Sequence, residues 1–181
     1  MPSPGPDPAA DPPILRPVLL PVPALPAAAA HPAPPPGHGH PPQMKPSNAS
    51  TFLRGVQLTD PRGLAEMQTI YPGWYAGRDT HIHVRVHVGG TVAKDHYAGG
   101  RIVHTGQFFF PDPLNDRIAQ LSPYLLNKTE RTPKQDDHVY TDQHGTDAQL
   151  TITPLDPKNE SAGYTGTIVL GVNLPATPST I

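Results

Sequence analysis

The sequence predicts an all-β fold: a β-sandwich with long loops and one short helix, preceded by a disordered Pro/Ala-rich segment. Three observations predict it. Seventeen of the 27 prolines fall between Pro2 and Pro46, and proline removes backbone donors and breaks helices and central strands. Beyond Ser50, short stretches rich in β-branched and aromatic residues are separated by turn signals. Thr80 to Val88 (THIHVRVHV) alternates strictly, with His81, His83, Arg85 and His87 on one face and Ile82, Val84, Val86 and Val88 on the other.

Residues 1–48 read as an extended or disordered tract and residues 49–181 as a single domain, of roughly 130 residues, enough for one buried core. The apolar run Ile14 to Ala30 is interrupted by Pro17, Pro21, Pro23 and Pro26, which excludes a spanning helix of about 20 apolar residues. No Lys or Arg precedes Arg16, so a basic signal-peptide start is missing and the balance tips towards the cytoplasm over export. His31, His38 and His40 stand in a Pro/Gly background that does not preorganise them for a metal.

In the domain, Phe52, Val56 and Leu58 lead into a turn at Asp60-Pro61-Arg62-Gly63, and Leu64 to Ile70 forms the returning strand. Arg101 to Phe110, Ala148 to Thr153 and Gly163 to Leu174 are further strands. A helix is predicted over Leu114 to Leu121, with Asp112 as cap and Pro113 opening it. Asn127 to Asp147 is polar and without period, a long surface loop in which Asp136, Asp137 and His138 read as a solvated run.

The chain has no cysteine, which excludes disulfides, thiolate metal sites and a cysteine nucleophile. A net charge of -2 and a pI of about 6.5 argue against nucleic acid or an anionic membrane as the main partner.

The chemistry concentrates in Tyr71 to His83, YPGWYAGRDTHIH. His81 and His83 project from one strand face, so their rings can converge on one metal ion. The Tyr75 phenol can fold back to the same point across the turn at Gly77, and Arg78 presents a positive charge beside an anionic ligand. Phenolate with imidazole suits a hard trivalent ion such as Fe(III). Zinc on His81, His83 and a third histidine such as His104 is the competing metal reading. An isolated His-x-His on a strand is also commonly just a hydrogen-bonded pair.

The runs FLRGVQLTD (Phe52 to Asp60), TIYPGWYAGRDTHIH (Thr69 to His83) and TGQFFF (Thr105 to Phe110) resemble the intradiol ring-cleavage dioxygenases, the catechol and protocatechuate 3,4-dioxygenase superfamily. The resemblance spans about Thr51 to Tyr124 and implies a β-sandwich enzyme holding non-haem Fe(III). Its partners would be a small catechol-type aromatic diol and O2, with a muconate-type diacid as product. By the same resemblance His81 and His83 are metal ligands and Tyr75 is the phenolate ligand displaced by substrate. Arg78 steadies charge on the substrate ring, and Gln107 lies near the metal. Relatives of this type are in some cases exported.

The resemblance also implies a first tyrosine ligand upstream of the LRG segment, yet no tyrosine precedes Tyr71. Loss of that phenolate implies a weakened ferric site, and hence an impaired dioxygenase or an inactive sandwich that binds metal or an aromatic ligand without turnover. Loss of the accompanying strand implies an open sheet edge, a route to homo-oligomers. Tyr71 is the one conceivable substitute nearby. Pro, Ala, Gly and His dominate residues 1–45, as in a GC-rich coding region read out of frame. Only a misread start would yield a Gly-x-Tyr segment in another frame of the upstream DNA.

Overall fold

The structure, a computed structural model, describes residues 14–20 by backbone alone and residues 55–93 and 96–175 in full. His31, His38, His40 and the start of the Phe52 segment lie outside them. In chain order the described elements are β1 (Ile14–Leu20), β2 (Ala65–Glu66), β3 (Thr69–Ile70), β4 (His81–Val92), β5 (Tyr97–Phe109), α1 (Asp112–Ile118), α2 (His138–Asp142), β6 (Thr151–Pro154) and β7 (Tyr164–Val169). They form two sheets, the all-β architecture that the sequence predicts: a β4–β5 hairpin, and a five-stranded sheet in which β1 sits between β7 and the short strands β2 and β3. Among the described residues no helix is long and apolar enough to cross a membrane.

Over residues 14–20, β1 departs from the expectation of a disordered tract. Its seven residues pair parallel with β7, from Leu15↔Tyr164 to Leu20↔Val169. On the other side they run antiparallel to β3 at Ile14↔Ile70 and to β2 at Leu19↔Ala65. Proline tolerance explains the departure. Continuing that register sets Pro17 opposite Met67, in the gap between β2 and β3. On that flank Pro17 meets a break in the neighbouring strand, where no ladder bond asks for its missing N–H, while on the other flank it pairs with Gly166. The same gap splits the predicted Leu64 to Ile70 strand into two.

The turn before β2 forms as its residues dictate. Gly63 takes the left-handed φ of 80°, and the Asp60 side chain accepts from the amides of Arg62 at 2.9 Å and Leu64 at 2.8 Å.

The even-numbered face of the hairpin supplies the core. Phe108 and Phe110 join Tyr71, Leu114, Ile118, Tyr124, Leu150, Tyr164 and Ile168 in one cluster, with Ile82 and Val84 packed against it. Burial of this set is the main favourable term for the fold. α1 starts one turn position earlier than predicted. Pro111, rather than Asp112, holds the cap position, and Leu114, Asn115 and Ile118 face inward.

The segment predicted as a long surface loop instead carries α2 flanked by 3-10 turns at Lys134–Asp136 and Gly145–Ala148. It is fastened to the turn before β4. Trp74 Nε1 donates to the Thr129 carbonyl at 2.7 Å, Asn127 Nδ2 to the Trp74 carbonyl at 3.0 Å, and the Gly77 amide to Thr132 Oγ1 at 2.9 Å.

Candidate metal centre

The odd-numbered face of the hairpin faces away from the core and carries the polar groups. Register pairs His83 with Gln107 and His81 with Phe109, so these four side chains share that face. His104 pairs with Val86, on the face of the aliphatic residues. The zinc reading with His104 is corrected on that ground. Among the described residues no three His, Cys, Asp or Glu side chains gather as a metal-holding group; the further donor beside the two histidines is the Tyr75 phenol.

Tyr75 is delivered by the turn that Gly77 makes possible at φ 83°. Its hydroxyl lies 3.5 Å from His81 Nε2, with ring centroids 5.8 Å apart. The His81 and His83 centroids are 5.0 Å apart at 72°. His81 Nδ1 is 2.6 Å from the Asp79 carbonyl oxygen. A carbonyl only accepts, so Nδ1 carries the proton and the Nε2 lone pair points towards Tyr75, the arrangement found in metal-ligating histidines. Two donors each about 2 Å from one ion at a right angle lie about 3 Å apart. The observed 3.5 Å separation fits that requirement. The donor set of one phenol and two imidazoles therefore fits a hard, high-valent ion.

Arg78 is buried behind these donors. Its Nε donates to Asp137 Oδ1 at 2.8 Å, and a terminal nitrogen donates to Gln107 Oε1 at 2.5 Å. Asp137 is fully buried and also accepts from the Asp79 amide at 3.0 Å and the Val139 amide at 2.9 Å. The sequence reading of Asp137 as solvated is corrected here, since its partners lie far away in sequence. Tyr75, Arg78, His81, His83 and Gln107 do come together. Phe109 tilts against His81 at 6.1 Å and meets the Tyr140 ring edge-on at 5.0 Å, walling one side. Neither Asp137 nor Tyr140 carries a sequence signal beyond its residue type.

Tyr71 does not replace the first tyrosine. It is 2% exposed, packs on Phe110 at 4.5 Å, and its hydroxyl donates to Asn115 Oδ1 at 2.5 Å. Burial pushes its pKa far above the usual phenol range. Tyr124 and Tyr164 are likewise in the core, and Tyr97 meets His87 edge-on along the hairpin at 5.2 Å.

Burial is the main force on the titrating groups. It lowers His81 to about 4, with smaller contributions from Arg78 and His83, so His81 is neutral near pH 7 and free to ligate. Partial desolvation, then Arg78 and Arg85, lowers His83, and desolvation lowers His104. Burial raises Asp79 to about 6. Its Oδ1 accepts from Arg131 at 3.3 Å and Asn115 Nδ2 at 3.2 Å, while its Oδ2 has no hydrogen-bond partner among the described residues.

These shifts predict a pH dependence of stability. The lowered histidines bind protons more readily when unfolded, so stability falls as pH drops below 6.5 towards 4. Asp79 binds its proton more readily when folded, so between pH 6 and 3.8 acid acts in the opposite sense and offsets part of that loss. In metal-free protein the urea midpoint of Asp79→Asn should therefore fall more steeply from pH 7 to pH 4 than that of the wild type. Equal or shallower slopes in the variant would contradict the assignment.

No protein-family model matches the chain, and no curated protein matches it. Solved structures do. An intradiol ring-cleavage dioxygenase from Tetranychus urticae superposes with a TM-score of 0.69 at 24% identity, covering 94% of this chain and 85% of that one. A second dioxygenase crystal structure gives 0.68 at 24% identity with the same coverage. On the sandwich, the hairpin and this overall correspondence, the chain has the fold of the intradiol ring-cleavage dioxygenases.

Proposed function

We propose that the chain is a non-haem Fe(III)-dependent intradiol dioxygenase that cleaves a catechol-type aromatic diol with O2 to a muconate-type diacid. The observation that carries this reading is the 3.5 Å approach of the Tyr75 hydroxyl to His81 Nε2 on a face shared with His83. Tyr75, His81 and His83 would hold the ion. Bound there, ferric iron supplies Lewis acidity that lowers the hydroxyl pKa values of the diol and draws electron density from its ring.

The protein groups supply the rest. Tyr75 is 41% exposed, so it is open to solvent and to a ligand. As a phenolate with the metal bound it would take up a hydroxyl proton of the diol and become a neutral phenol. Arg78 places a fixed guanidinium beside the site, where negative charge develops on the substrate. Gln107 holds one end of that guanidinium. Phe109 keeps water from the inner side of His81, being itself 2% exposed.

Among the described residues Tyr75 is the one phenol with a ring contact to His81 or His83. That favours a second reading, a ferric or aromatic-binding sandwich without turnover. One preparation separates the two. Ferric-loaded wild type should show a visible phenolate-to-iron band and consume oxygen when catechol is added. A coloured protein that consumes none supports the second reading, and a colourless one defeats the dioxygenase reading and the ferric form of the second. Tyr75→Phe should lose most of the band, while its unfolding free energy in urea stays within about 0.5 kcal/mol of the wild type, as for other surface changes.

A further inference from the structure

We infer that Asp137 is a positioning residue for Arg78: its buried carboxylate fixes the plane and position of the guanidinium that meets the substrate. The inference rests on the dioxygenase reading for its substrate, but its geometry is independent of it. Arg78 has five N–H donors in a rigid fork. Asp137 takes Nε at 2.8 Å and Gln107 takes a terminal nitrogen at 2.5 Å, so the guanidinium is held from two sides, from α2 and from β5. Neither partner alone would fix the plane.

Asp137 is placed with unusual completeness. It is 0% exposed and its carboxylate accepts three bonds: from Arg78 Nε, from the Val139 amide that opens α2, and from the Asp79 amide. The last of these lies in the residue whose carbonyl orients His81. A carboxylate buried without water keeps its charge only when it is paired and hydrogen-bonded. The ion pair with Arg78 at 2.8 Å supplies the pairing. The guanidinium edge not taken by Asp137 and Gln107 is then the edge left for an anionic ligand. The adjacent Asp136 is exposed and bears no such relation to Arg78, so the effect belongs to one of two neighbouring aspartates.

A double-mutant cycle on the full chain tests this, read twice. In metal-free protein, Arg78→Ala strands a buried carboxylate, so adding Asp137→Asn should raise the melting temperature relative to Arg78→Ala alone. In ferric-loaded protein, Asp137→Asn should keep the phenolate band but weaken catechol binding, read anaerobically from the shift of that band, by at least about tenfold. In the Arg78→Ala background the same change should weaken it less than about twofold, since the residue acts through Arg78. Equal losses in both backgrounds would mark Asp137 as scaffold alone and overturn the inference. So would unchanged catechol binding by Asp137→Asn with Arg78 in place. A coloured wild type that binds no catechol overturns the dioxygenase reading and the substrate half of this inference together. In that case the metal-free cycle still decides the Asp137–Arg78 coupling, and no recovery of melting temperature overturns it.

Discussion

Phe110→Ala should unfold at urea concentrations in which the wild type is still intact. Phe110 is 0% exposed and lies where the end of the hairpin meets the helix side of the core, against the ring of Tyr71 at 4.5 Å. Its neighbours in the cluster include Leu114, Ile118 and Leu150, drawn from separate elements that cannot all close on the void. A Phe-to-Ala truncation in such a place costs about 3–5 kcal/mol, combining lost transfer energy with the residual cavity. Small domains are stable by only about 5–15 kcal/mol in total. Urea unfolding followed by tyrosine and tryptophan fluorescence reads this directly. A midpoint within experimental error of the wild type would mean that the core is not packed as described.

His81→Ala should abolish ferric binding while leaving the metal-free fold intact. The two effects separate because of how the ring is held. Nε2 points to the donor face and Nδ1 donates to the Asp79 carbonyl 2.6 Å away, a bond that braces the ring more than the backbone. Disturbing the outer partner of a metal-ligating histidine alone costs about 10–100-fold in affinity, so removing the ring should exceed that range. Iron content after ferric loading and desalting gives the measurement. In the metal-free state the variant loses a histidine held near 4, so it should resist acid better than the wild type between pH 6.5 and 4. Full iron retention by His81→Ala would place the centre elsewhere.

The strand face was legible because alternation is a local property. Ile82 and Val84 pack on the core and His81 and His83 do not, as the period alone requires. The TGQFFF resemblance singled out Gln107 on β5, and the register sets it opposite His83. Asp137 was not legible, because nothing in Asp136-Asp137-His138 distinguishes the buried acid from the exposed one. Only the approach of Arg78 and the Asp79 amide from the other side of the domain does so. β1 was hidden by its own proline, which in sequence argues against a sheet interior. In space it meets a gap in its neighbour. The helix-bearing character of residues 127–147 was masked for a third reason. Its elements are too short to show a period, and they form by docking on the Trp74–Asp79 turn.

The parallel pairing of β1 with β7 carries a consequence for the order of assembly. Leu15 meets Tyr164, so nearly the whole described chain separates the two strands, whereas β4 and β5 are joined by a short connection. Closing so large a loop adds little to the equilibrium cost, because that entropy grows only logarithmically, but it delays the contact relative to local ones. The hairpin with its donor face should therefore be assembled before the central strand arrives. Until it does, β7 presents an unpaired flank to which the equivalent strand of another molecule could add, making strand exchange the characteristic misfolding hazard of this architecture.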